Sequence, residues 1–141
     1  MKFFKKILGW EIANFLSASS MGNITKVKEI LSKGMNINAL QNTTFESALS
    51  MATRSNQLDM LEFLLQNGAD PNIPVSAVKQ SCLYLAAEYG HTEVAKILIK
   101  YGANPNIVVD WVFSKHTALS IARKKRHIEI IKLLEEIDAK E

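Results

Sequence analysis

One cysteine, three prolines and six glycines in 141 residues exclude several fold classes at once. A lone Cys82 cannot close an internal disulfide, so a small stapled scaffold is ruled out. Its apolar setting beside Leu83 and Leu85 fits a reducing compartment, and the chain is expected in the cytoplasm. So little proline and glycine excludes collagen-like and low-complexity chains. No run approaches the ~20 consecutive apolar residues that a membrane span requires. Nor does strand-like alternation stand out anywhere. Charge of one sign is also scarce: the net value is +3, with lysine and arginine in both halves, which demands no polyanionic partner. What is present is 48% hydrophobic and 22% charged, enough apolar mass for one domain with a real core.

The first segment, MKFFKKILGWEIANFL, carries the positive charge of a secretion signal. Its apolar stretch is cut by Lys5, Lys6, Gly9 and Glu11, so an uncleaved amphipathic helix is the better reading. Residues 1–12 are expected to cap the fold, with Trp10 either part of the cap, the favoured reading, or a binding anchor.

Beyond it the chain repeats. Gly34, Gly68 and Gly102 stand 34 residues apart, and Asn38, Asn72 and Asn106 follow each glycine in GMNIN, GADPN and GANPN. Ahead of each glycine runs an apolar pattern at three- and four-residue steps: VKEILSKG, MLEFLLQNG and VAKILIKYG. A fourth copy, IIKLLEEID, lacks the glycine. Each is an amphipathic helix, closed by a glycine able to adopt the left-handed conformation. Pro71 and Pro105 stop the helix from resuming, and the asparagines are expected to bond the turn locally. Shorter helices precede these: SALSMATRSNQ, SCLYLAAEYGH and TALSIARKKRH, with Ser47, Ser81 and Thr117 as N-caps. Ala52, Ala86, Ala87 and Ala122 allow close helix stacking. Phe63, Leu65, Ile97, Leu98, Leu133 and Leu134 are expected in the core.

Residues 81–106, SCLYLAAEYGHTEVAKILIKYGANPN, resemble an ankyrin repeat, whose pattern runs T-P-L-H-x-A-A through G-H-x-E-V-V-K-L-L-L to G-A-D-x-N. The resemblance covers about residues 13–141, as four repeats near 13–42, 43–76, 77–112 and 113–141. It implies an all-α solenoid of stacked antiparallel helix pairs joined by finger-like loops, monomeric, binding other proteins through a concave groove. It departs from the pattern in two places. The family proline is replaced by Ala48, Cys82 and Ala118, and the family histidine by Ser50, Tyr84 and Ser120. The fingertip glycine is absent, with Phe45, Lys79 and Lys115 near its positions.

No catalytic constellation, zinc-ligand spacing or phosphate loop stands out, so neither an enzyme nor a cofactor or metal is expected. His91 and His127 share one repeat position, where the family uses histidine to bond its own turn. Glu135, Glu136 and Asp138 form an acidic cluster read as facing water. RKKRH at 123–127 offers the alternative of a nucleic-acid or acidic-surface binder, but no aromatic platform accompanies it and glutamates follow.

The period itself points to a site. Asn56 and Gly90 mark one turn 34 apart, whereas the equivalent Arg126 lies 36 further on. The two added residues fall in IVVDWVFSKH, which sets Trp111 and Phe113 in a connecting loop, where the rings either fold back onto neighbouring repeats or stand out as binding anchors. Insertions in repeat arrays map to loops on the binding side, and aromatic anchors dominate interface energetics. The expected partner-binding set is therefore Asp110, Trp111, Phe113 and His116 on this loop. By the family's concave surface it adds Arg54, Glu88, Tyr89, Lys124 and Lys125 at helix ends, and Glu46, Val78 and Gln80 on the fingers. Small bacterial proteins of this kind resemble toxin inhibitors, immunity proteins or adaptors.

Overall fold

The computed structural model describes residues 2–141, with side chains from Gly9 onward. Eight α-helices are present among the described residues: α1 (Lys2–Ser20), α2 (Ile24–Ser32), α3 (Ala48–Arg54), α4 (Leu58–Gln66), α5 (Cys82–Tyr89), α6 (Thr92–Lys100), α7 (Ala118–Lys125) and α8 (Ile128–Glu136). The chain forms two compact units that divide between Asp70 and Pro71. In the first, α1 pairs with α2 and α3 with α4, and α1 packs on α3. In the second, α5 pairs with α6 and α7 with α8, while α5 packs on α7 and α6 on α8. Within each unit the expected all-α packing of helix pairs is what forms.

Two recurring left-handed positions build each pair. Gly22, Asn56, Gly90 and Arg126 turn the chain inside a pair, and Gly34, Gly68, Gly102 and Asp138 close it, all with positive φ. The fourth copy, which lacks the glycine, thus ends in the same way, with Asp138 at φ 55°. Ser47, Ser81 and Thr117 cap α3, α5 and α7 as expected, each side-chain oxygen accepting from the amide three residues on. Ser50 and Ser120, at the position where the family pattern has histidine, return a hydroxyl to the cap backbone and complete a capping box. Tyr84 occupies the third such position and is buried.

The core of the first unit is Phe15, Val27, Leu49, Met60, Leu61 and Leu64; that of the second is Leu83, Leu85, Val94, Leu98, Ile130 and Leu134. Of the residues expected inside, Phe63, Ile97 and Leu133 are only half-buried, because the second helix of each pair shows its outer flank to water. At the start of the chain α1 runs unbroken through residue 12 into the packed part of the helix. Trp10 is 70% exposed, not tucked into a cap. The side chains of Phe3, Phe4, Ile7 and Leu8, expected to cover the first repeat, lie outside the described residues.

Three further expectations change. Residues 107–116 contain two strands, β1 (Val109–Trp111) and β2 (Ser114–His116), paired antiparallel with Val109 opposite His116 and Trp111 opposite Ser114. Three-residue strands are too short to produce a readable alternation. The asparagines do not work locally: Asn38 donates to Gly68 O and accepts from Asp70 N, and Asn72 donates to Gly102 O and accepts from Asn104 N. Asn106 accepts from Lys140 N. Nor does His127 bond its own turn, since its Nε2 lies 3.2 Å from the Glu88 carbonyl of the preceding pair. Gln57 fills the equivalent place in the first unit, donating to Ser20 O at 3.1 Å.

Candidate protein-binding cleft

The third finger is a paired hairpin rather than an irregular loop. Val109 at the base of β1 is fully buried, and the hairpin ladder fixes everything beyond it. The two residues at the tip have nowhere to hide: Val112 is 87% exposed and Phe113 is 99% exposed. Trp111 behaves differently. It is 42% exposed and lines the same cleft as Tyr84 of α5. Burial holds the Tyr84 hydroxyl above its ordinary pKa and the Glu88 carboxylate pushes the same way, while the neighbouring Trp111 side chain opposes both. The phenol therefore stays neutral at physiological pH and forms a polar point in an otherwise apolar floor.

Between this finger and α7 lies an open cleft of about 520 Å³. Trp111, Val112 and Phe113 form one wall, Tyr84 and Ile121 the floor, and Glu88, Lys124 and Lys125 the far side. His116 closes the base of the hairpin, its Nε2 2.9 Å from Ser114 Oγ. A volume of this size admits a few side chains of a visiting chain. No groups of histidine, cysteine, aspartate or glutamate that could hold a metal ion occur among the described residues.

Of the residues expected to bind a partner, the cleft gathers Glu88, Trp111, Phe113, His116, Lys124 and Lys125. Asp110 is exposed on β1 opposite Lys115, and Tyr89 stands at the end of α5, 48% exposed and stacked on the His91 ring at 5.7 Å. Val78 is half-buried on the second finger, where Gln80 is buried and accepts from Ser76 Oγ. Gln80 is thus a structural residue of its own hairpin. Glu46 and Arg54 lie in the first unit, engaged with each other: Arg54 donates to Glu46 Oε1 at 2.9 Å while Ser50 Oγ holds the other carboxylate oxygen. Sequence reasoning overlooked Tyr84, Val112 and Ile121. For Tyr84 a signal existed, since a large phenol replaces a small polar group between alanine-rich turns; for Ile121 nothing distinguishes it from core.

The basic run also changes character. Arg123 pairs with Glu135 at 2.7 Å and with Glu141, so Glu135 is not simply facing water. Arg126 serves as the left-handed cap of α7.

Periodic helix pairs, hairpin fingers and side chains that stitch one turn to the next are now in place. The family model for ankyrin repeats, in three copies, matches residues 9–75 and again 74–140. The chain is an ankyrin-repeat protein. No curated protein matches it. Ankyrin repeats are in general protein–protein interaction modules, and the family is typically non-catalytic. Among the described residues no helix is long and apolar enough to cross a membrane.

Proposed function

We propose that this ankyrin-repeat chain binds a partner protein through the cleft of its second unit, with Val112 and Phe113 as apolar anchors. The carrying observation is the tip of the third finger, where two apolar side chains stand almost wholly in water on a hairpin held by the buried Val109 and by the β1–β2 pairing. Exposed apolar groups on a rigid support bind with little loss of conformational entropy, which is how interface anchors gain their energy. The role this fits is that of an inhibitor or immunity protein of a toxin, or of an adaptor. A buried single thiol fits a cytoplasmic setting. The nucleic-acid alternative is weakened by the Arg123 ion pairs, which leave the 123–127 run partly neutralised.

Affinity capture from the native lysate, with nuclease added, tests the reading. The wild type is expected to retain one protein that a Val112→Ala/Phe113→Ala variant binds at least ~30-fold more weakly, the consequence of losing about 2 kcal/mol of anchor energy. Equal retention by both would remove the finger from the interface.

A further inference from the structure

We infer that the cleft takes a short acidic segment of its partner, a carboxylate-bearing residue placed next to an apolar side chain; this rests on the reading of the cleft as a protein-binding site. Among the described residues the lysines and arginines with short-range partners include Lys26, Lys33, Arg54, Lys96 and Arg123, each held by a glutamate of its own unit. Lys124 and Lys125 have no such ion pair among the described residues, yet both line the cleft beside the apolar finger. Glu88 is the only carboxylate of that lining, and Arg126 follows the two lysines directly. In the lining itself two cations, Lys124 and Lys125, face one anion. On the hairpin Asp110 stands opposite Lys115, so that pair adds nothing net.

Any partner that covers Val112 and Phe113 also withdraws water from these ammonium groups. Removing a charge from water without a counter-charge is costly, so an uncharged or basic segment is disfavoured at this place and an acidic one is selected. The apolar wall asks for an aliphatic or aromatic side chain in the same few residues. The cleft volume of about 520 Å³ limits the occupant to a short stretch. Lysine, unlike arginine, presents a compact charge on a flexible stem, which suits a carboxylate whose position along a segment varies.

The test is a random-peptide phage library panned on the purified full chain. Recovered clones are scored against wild type, Phe113→Ala and Lys124→Glu/Lys125→Glu, with circular dichroism confirming that both variants fold. Recovered peptides are expected to carry aspartate or glutamate within two or so positions of an apolar residue. They should bind each variant about tenfold or more weakly and lose affinity as salt rises. Peptides that need Phe113 but are basic or uncharged, and that tolerate the double glutamate variant, would overturn the acidic chemistry while leaving the cleft as a binding site. Failure to recover any Phe113-dependent peptide would overturn both. A labelled DNA duplex is titrated in parallel. Binding that depends on the two lysines but not on Phe113, with no acidic peptide recovered, would replace a protein segment by a polyanion.

Discussion

At Gly90 the backbone is left-handed, φ 75°, and a Cβ there would meet the His127 ring at 2.7 Å. Gly68 shares the conformation, φ 93°, but a Cβ would find nothing within 4 Å. The two glycines therefore separate conformational strain from packing. Alanine at position 68 is expected to cost about 1 kcal/mol, the left-handed penalty less the entropy that alanine removes from the unfolded chain. At position 90 the ring must also be displaced and its bond to the Glu88 carbonyl weakened, adding roughly 1–3 kcal/mol. Urea titrations at unchanged slope read both numbers. In a His127→Ala background the Gly90→Ala cost should fall to that of Gly68→Ala; an undiminished cost would mean that the ring does not lock this turn. Sequence alone shows why glycine suits position 90, because a helix end calls for a left-handed residue. It does not show the ring from the next pair, since that contact spans 37 residues and leaves no local pattern.

The first and third helix pairs are each followed by two kinds of asparagine, which the sequence presents alike. Asn36 and Asn104 perform the local job, their side-chain oxygens accepting from the amides of Asn38 and Asn106 two residues on. Asn38, Asn72 and Asn106 reach instead to the turn of the following pair. The 34-residue period, the caps and the closing glycines were legible because each follows from conformational preference within a few residues. The asparagine bonds were not, because the same amide satisfies either a local or a distant turn and only packing chooses. The same limit applied at the fingers, where Gln80 was expected to bind a partner but pairs with Val75 and is buried. A measurable difference follows. Asn72→Ala removes a donor to Gly102 O and an acceptor for Asn104 N, and is expected to lower stability by about 1–2 kcal/mol. Asn42→Ala, at an exposed asparagine of the first finger, should stay within about 0.5 kcal/mol of wild type. Equal effects in thermal unfolding would show that the long-range bonds add nothing.

For the molecule as a whole, the binding proposal needs the cleft to be separable from the fold, so that tip substitutions remove recognition without loosening the second unit. Cys82 offers the probe. Its side chain is 1% exposed in α5, the helix that also carries Tyr84 and Glu88, so a thiol reagent reaches it only when this unit opens. When reclosing is faster than labelling, the rate reports the open population. Leu98 is fully buried in the same unit, and Leu98→Ala is expected to cost about 2–5 kcal/mol, which speeds labelling by ~30-fold or more. Phe113, 99% exposed, contributes nothing to that core, and Phe113→Ala should leave the rate within about twofold of wild type. Comparable acceleration by both would tie the finger tip to the integrity of the unit, and loss of a partner on Phe113→Ala would then reflect unfolding rather than a missing anchor. A silent Phe113→Ala that still loses its partner would confine the defect to the surface, because the core around Cys82 would be as closed as before.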